Sequence, residues 1–590
     1  MTRFKNLGRM PIWLTLPAFG VLLVLFGIPI VRLFLISLNA PAFSVAHYLA
    51  FFGQSANVRV LFQTIEISVV VTAICVVIGY PTAFMIVAAS KRLRMVLVVL
   101  VLIPYLTSLL ARTYAWIVIL GDNGLVNKLL LDIGLISTPI PLLYTRWSMY
   151  VGMVHVMLPL MILPLVSVML GIDKSLTAAA PSMGARPFDA FWRVFFPLSL
   201  PGVRSGALLV FILCLGFYIT PAALGGLGDA MLSTFIAAQV KSTFNIEQIA
   251  SSAFVLLAIA GVLLSVLGLD LSSGHDRASE TVRRSQENRL PSFGALARYL
   301  NELAAPYRAK RWTAELFRAT SSRNSTQLMG AVIVVLVMFF LLFPGVVVIV
   351  MSFSAGAYLE FPPSGLSLQW YRSFFGNPSW TGAAWTSIQI ATAVTVVSTI
   401  LGTLAAYGLS RTSPRLRSAL TLAILTPITI PLIVVGIAVF LGLVDLGLVG
   451  SKMGIVLAHS IGAIGYVVVI VSATLANFDR RLEQAANSMR AGPLTTFRRV
   501  TLPLIMPGIM GGAVFAFIHS FDEVVISSLV SGFSIRTLPL KMWENIRHEI
   551  DPTIAAVSSL LMLLPILWMI AIYFMWWRSR SVDRTRYRGE

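Results

Sequence analysis

The chain has 590 residues, of which 57% are hydrophobic and 12% charged, roughly half the charged share of about 25% found in soluble globular proteins. Most side chains must therefore face lipid or one another, which places the chain in the membrane class. The formal net charge is +20, but its lysines and arginines sit in short clusters beside apolar runs, as on the cytoplasmic loops of multi-pass proteins, which argues against a nucleic-acid partner. Only Cys75 and Cys214 occur, both inside apolar runs, so neither a disulfide framework nor a cysteine-based metal site is supported.

The N-terminal MTRFKNLGRM is basic and leads directly into an apolar run at 11–38. That run is too long for a signal-peptide core and no small-residue cleavage site follows, so it reads as a first span with its N-terminus inside. At roughly 20 apolar residues per span, further spans fall at 59–89, 95–120, 147–172, 203–224 and 249–271. A second set falls at 329–355, 383–410, 419–444, 453–475, 509–531 and 553–577. The expected fold is all-α and polytopic, with about twelve transmembrane helices in two related six-helix halves. The halves are 1–271 and 329–590, and the polar, Arg- and Ser-rich segment 272–328 reads as a cytoplasmic linker. Basic clusters such as Lys91/Arg92/Arg94, Arg411/Arg415/Arg417 and the tail from Arg578 to Arg588 alternate with charge-balanced loops. That pattern puts both termini in the cytoplasm.

An internal repeat is legible after the fourth span of each half. DKSLTAAAPSMGARPFDAFWRVFFPLSLPG (173–202) aligns with DRRLEQAANSMRAGPLTTFRRVTLPLIMPG (479–508) at a constant offset of 306. The offset pairs Ala179/Ala180 with Ala485/Ala486, Ala185 with Ala491 and Pro197 with Pro503. Each copy reads as a small-residue helix, a turn, an aromatic-basic helix and a Pro-x-x-x-Pro-Gly entry into the next span. Small residues allow close approach of a partner, and the flanking arginines reach acidic groups on it.

These segments resemble the EAA loop of binding-protein-dependent ABC importer permeases with a maltose- or methionine-permease-like core. The resemblance implies the type I importer permease fold. It also implies that the loop is a coupling helix seated in a groove of a separate ATPase subunit, with Ala179, Ala180, Gly184, Ala185, Glu483, Ala485, Ala486, Arg490 and Ala491 as the coupling positions. The family's Glu position is Ala178 in the first copy and Gln484 in the second, with Glu483 one residue earlier. Its glycine is Gly184 in the first copy but Arg490 in the second, which leaves room for the second coupling helix to sit differently. Stretches at 112–136 and 142–165 resemble the first permease of the spermidine/putrescine importers. Those at 361–375 and 520–532, with the RTLPLKMWENIRHEIDPTIAAVSSLL that follows, resemble the second. The chain thus resembles the two subunits fused. The partners this implies are an ATP-binding-cassette ATPase dimer, which carries ATP and magnesium, and a periplasmic substrate-binding protein, together with a small-molecule substrate and the bilayer of the bacterial inner membrane.

No lysine follows a glycine, so a Walker A loop is missing, and the six histidines form no ligand motif. The chain reads as a transport subunit, not an enzyme, with no cofactor or metal of its own. Ionisable residues in apolar spans mark partners or water-filled cavities. Asp522 and Glu523 fall mid-way along 509–531, opposite Gly216 and Phe217 of the first half, and Glu66 falls in 59–89, opposite Gln389. With Tyr114, Trp116 and Tyr218 as aromatic faces they form a candidate pathway for a cation. The alternative pairs Glu66 with a residue such as Arg112 and gives Asp522/Glu523 a bracing role. The loop 542–551 reads either as a binding-protein contact or as a solvated face. Polyamine is the expected solute, and aminoethylphosphonate, thiamine or ferric iron are the alternatives within the class. An ion-coupled secondary transporter is the rival outside it, and offers no reason for two Ala-rich loops.

Overall fold

The computed structural model describes residues 11–242, 245–266, 323–356, 361–532, 534–548, 551–563 and 567. Lipid offers no hydrogen bonds, so each spanning segment satisfies its backbone internally as a helix. In the first half these are α1 (Ile12–Ser37), α2 (Ala46–Gly53), α3 (Ser55–Ala88), α4 (Lys91–Leu106), α5 (Leu109–Leu120) and α6 (Leu125–Asp132). They continue with α7 (Arg146–Gly171), α8 (Lys174–Ser182), α9 (Phe188–Leu215), α10 (Ile219–Leu224), α11 (Leu232–Ser242) and α12 (Ile246–Val266). The second half repeats the order. Its helices are α13 (Arg323–Met351), α14 (Gln369–Gly376), α15 (Pro378–Ser410), α16 (Pro414–Thr429), α17 (Leu432–Asp445) and α18 (Lys452–Ala476). After them come α19 (Arg481–Ser488), α20 (Pro493–Phe521), α21 (Val525–Val530), α22 (Leu538–His548) and α23 (Thr553–Leu563).

Among the described residues, 8 helices are long and apolar enough to cross a membrane, or up to 10 if each bent pair is one span. The shorter apolar α12 and α23 fall where the last expected span of each half lies. The linker lies outside the described residues except for 323–328, which already belong to α13. The N-terminal basic cluster and the basic tail also lie outside them.

Two expectations are corrected. First, the runs 95–120 and 419–444 are not straight spans: α4 and α5 meet at 92°, and α16 and α17 at 101°. Each bend follows a proline near the end of its first helix, Pro104 and Pro427. Proline lacks the N–H that would continue the ladder and clashes with the preceding turn. Second, the fifth span of each half starts well before 203 and 509, because α9 and α20 run straight through Pro197/Pro201 and Pro503/Pro507. A single wide π turn, Phe191–Phe195 and Phe497–Thr501, lies just upstream of those prolines. It gives room for the ring against the preceding carbonyls. Both spans therefore end early, at Leu215 and Phe521, and Asp522 sits at a helix end instead of mid-span.

The first helix of each half packs on the other half. α1 lies against α15 and α17, and α13 lies against α3, α4 and α5. The core follows the exchange. Ala18, Leu22, Leu25 and Phe26 of α1 belong to the second half's apolar cluster, and Val337, Met338 and Leu341 of α13 to the first half's. Arg32 of α1 forms an ion pair with Asp445 at the end of α17. At the same crossing Gly442 is required, because a Cβ there would stand 2.7 Å from Pro29 Cγ.

Cutting the chain at a protease site inserted near residue 290 should leave two fragments that co-purify in detergent, because each buries a helix of the other. Their separation on size exclusion would refute the exchange. Gly442→Val should lower stability by about 1–3 kcal/mol through overpacking, read as a lowered thermal midpoint, whereas Gly20→Ala, with open space around it, should leave the midpoint unchanged.

Candidate functional site

The broken helices of the two halves meet at the centre. The bend between α4 and α5 leaves the N–H groups of the first turn of α5 without helical partners. Asp522, at the end of α20, supplies one acceptor: its Oδ2 takes the Leu109 N–H at 2.9 Å, and its Oδ1 takes the Ser108 hydroxyl at 2.5 Å. The mirror contact joins Gly216, at the end of α9, to the bend between α16 and α17. There a Cβ would stand 2.9 Å from Pro431 Cα, so no side chain fits. Asp522 and Gly216 differ by 306 residues and Pro431 and Ser108 by 323, the two offsets that relate the halves here. One pseudo-twofold contact is thus built as an acid on amide in one copy and as bare backbone in the other.

A cavity of about 340 Å³ opens at this junction, within the usual range for small-molecule sites of about 300–1,000 Å³. Its wall is drawn from equivalent positions of the two halves: Tyr105 and Ile428, Leu213 and His519, Phe217 and Glu523. The polarity is one-sided. The second half contributes Tyr466, His519, Asp522 and Glu523; the first contributes Tyr105, Phe217 and Tyr218. The Glu523 oxygens accept the N–H groups of Ile526 (2.7 Å) and Ser527 (2.8 Å) at the start of α21, and Oε2 also lies 3.2 Å from His459 Nε2. His459 is held in turn by Ser520 (2.9 Å) and Ser527 (3.0 Å). Glu523 is therefore bound into the second half, while Asp522 ties the halves together. Arg112, in the first turn of α5, is 6% exposed, within electrostatic reach of Asp522, and its Nε and Nη1 have no hydrogen-bond partner.

Of the pathway residues expected from sequence, Tyr218, Asp522 and Glu523 line this cavity, and Glu66, Tyr114 and Trp116 do not. Glu66 pairs with Arg146 (3.2 Å), not with Arg112, and Arg146 also holds Asp229 (2.9 Å). The second half repeats this brace between α3-type and α7-type helices with Lys452 donating to Gln389 at 2.8 Å. Tyr114 and Trp116 are buried in α5 because α13 covers that helix: Trp116 packs edge-on to His155 (5.7 Å) and 5.5 Å from Phe340 of α13. Tyr105, Tyr466 and His519 were not singled out from sequence. The usable signal was Pro104 and Pro427 at the 323 offset, which marks the bends around which those residues gather.

The two Ala-rich loops take the same backbone path in both halves. α8 ends with Ala185 N–H on Ala180 O and α19 with Ala491 N–H on Ala486 O, both at 3.0 Å, the pairing of a Schellman cap. Gly184 has φ 83° and Arg490 has φ 60°, so Arg490 takes the left-handed position that suits glycine and the cap is kept in both copies. Exposed apolar side chains recur on the loops at the same offset: Leu176 with Leu482, and Met183 (81% exposed) with Met489 (83%). Ala179 and Ala485 are exposed and Ala180 is buried against the body, with Ala185, Ala486 and Ala491 half-buried. Glu483, expected as a coupling position, faces the protein body. It is 7% exposed, ion-paired to Arg411, and accepts the Thr501 hydroxyl at 2.5 Å. In the first half the positions of Arg411 and Thr501 are Ala88 and Phe195, and Phe84, Phe191 and Phe195 hold the loop by ring contacts at 5.2–5.9 Å. Asp173, at the entry to α8, is held below the usual carboxylate range by the Ser175 backbone N–H, which it accepts at 2.8 Å.

The sequence profile of the family described as "Binding-protein-dependent transport system inner membrane component" matches residues 398–577. The spermidine/putrescine transport system permease protein PotB of Haemophilus influenzae is 38% identical over 183 residues, 30% of this chain and 64% of that protein. The chain thus spans a little under two thirds of that relative's length. The putrescine transport system permease protein PotI of Escherichia coli is 33% identical over 267 residues, 43% of this chain and 95% of that protein. Among solved structures, a chain of a bacterial alginate ABC transporter in complex with an alginate pentasaccharide-bound periplasmic protein aligns at 16% identity and TM-score 0.38, over 43% of this chain and 90% of that one. With a profile match across the second coupling loop and a relative covered almost end to end, the chain belongs to the inner-membrane permeases of binding-protein-dependent transport systems.

Proposed function

We propose that this chain is the complete translocation pathway of an ATP-driven importer for a cationic polyamine such as spermidine or putrescine. The observation that carries the reading is the cavity between the halves, where Asp522 and Glu523 of the second half stand among tyrosine and phenylalanine rings from both halves. An ammonium group is held by carboxylate charge and by ring faces. An aliphatic chain between ammonium groups suits the apolar remainder of the wall. The named relatives transport spermidine and putrescine, which agrees with this chemistry.

In this reading Met183, Met489, Leu176 and Leu482 seat the two loops in an ATPase dimer, and a substrate-binding protein delivers solute on the opposite face. ATP binding draws the loops together and opens the cavity toward the binding protein; hydrolysis resets it. Both termini lie on the cytoplasmic side with the loops, and 1–271 and 329–590 act as the two permease units. The ATP and magnesium belong to the partner.

Uptake of labelled spermidine and putrescine into proteoliposomes, with a candidate ATPase and binding protein, tests the reading. Uptake should require ATP, and Asp522→Asn should lower kcat/KM by about tenfold, equivalent to ~1.4 kcal/mol. ATP-dependent uptake of another solute with polyamines ignored would discard the substrate. Uptake without the ATPase would discard the class. Met183→Glu with Met489→Glu should abolish co-purification of the ATPase while the thermal midpoint moves by no more than ~0.5 kcal/mol of stability, as expected of exposed positions.

A further inference from the structure

On the face opposite the Ala-rich loops, α22 packs against a wall residue of the cavity. Tyr218, a wall residue of the cavity, meets the Trp543 indole edge-on with ring centroids 5.6 Å apart. Arg547, one turn further along α22, lies over the same indole with its guanidinium carbon 5.8 Å from the centroid, and is within electrostatic reach of the Tyr218 hydroxyl. Trp543 is 2% exposed and Tyr218 5%, while Arg547 is exposed. Tyr218 and Trp543 thus make a buried aromatic contact between the cavity wall and α22, with a cation from the chain itself seated on the indole.

The same helix repeats the device at its other end. Lys541 lies 4.8 Å over the Trp380 ring and donates to Ser379 Oγ at 2.7 Å. Glu544, between them, is paired with Arg536. The region 542–551, expected as a loop, is thus largely a docked helix whose cations are spent on its own chain's rings and carboxylates. Lys241 of α11 lies within electrostatic reach of Arg547 and Glu544.

We propose that Arg547 on Trp543 is the outer gate of the cavity, a resident cation holding the aromatic step that a substrate cation must occupy to enter. A ring face holds one cation at a time, so an arriving ammonium and the Arg547 guanidinium compete for it. Exchange of one for the other opens the step between α10 and α22. The exchange rests on the cationic-substrate reading; the gate itself does not.

The test uses the full chain in intact cells, with Phe217→Cys as a reporter on the cavity wall and the native Cys75 and Cys214 both buried. A membrane-impermeant quaternary-ammonium thiosulfonate is applied from outside. Arg547→Gln should raise the labelling rate of the reporter at least tenfold, and Trp543→Phe should raise it in the same direction. Arg536→Gln, which removes a nearby charge but no ring contact, should leave the rate unchanged. The same variants with Phe217 intact report on unfolding through Cys75 and Cys214, which should stay unlabelled. Unchanged labelling in both Arg547→Gln and Trp543→Phe overturns the gate. With Arg547 present, added putrescine should speed labelling. If Arg547→Gln opens the reporter and putrescine has no effect, the gate stands and the exchange by polyamine is refuted.

Discussion

The structure depends on how the backbone is satisfied where helices break inside the membrane. A bend of 92° or 101° at membrane depth frees N–H and C=O groups that lipid does not pair. Such a break persists only where protein or a water-filled cavity meets it. Here α20 ends against the first bend through Asp522, and α9 ends against the second through Gly216. The halves therefore meet through helix ends, and the space left between those ends is the cavity.

The repeat explains the geometry and the asymmetry explains the chemistry. The same positions make the contact, the coupling cap and the α3–α7 brace in each half. Their side chains differ: Asp522 against Gly216, His519 against Leu213, Glu66–Arg146 against Gln389–Lys452. The coupling loops show the same division, with an Arg411–Glu483–Thr501 cluster holding one and a phenylalanine cluster holding the other. An identical backbone path is thus kept in the two copies while the side chains that fasten it have diverged.

The exchange of first helices accounts for the fused arrangement in physical terms. Because α13 buries on the first half and α1 on the second, the two groups of helices share one central core that includes Tyr114, Trp116, Trp380 and Trp543. A tether between them raises their effective concentration, and the exchanged helices convert that proximity into a large apolar interface. The burial of Tyr114 and Trp116 is a consequence: residues that look like pathway aromatics in one dimension become the floor on which another half's helix lies.

Membrane class, the all-helical fold, the two-fold repeat and the two Ala-rich loops were legible in the sequence, because they rest on local quantities. A run of apolar residues must span, and a pattern repeated at an offset of 306 must fold twice alike. Arg490 illustrates how strong that constraint is: it adopts a left-handed φ of 60° to keep the cap that Gly184 makes in the first copy. The bends were within reach through Pro104 and Pro427, but hydropathy counts apolar residues and does not register a missing N–H. What only the tertiary structure decided is which half each helix serves and where each charge is spent. Glu66 meets Arg146, Glu483 turns inward to Arg411, and Asp522 crosses to Leu109, because partners hundreds of residues away, or on a neighbouring helix end, set the lowest-energy place for a charge in a medium without water.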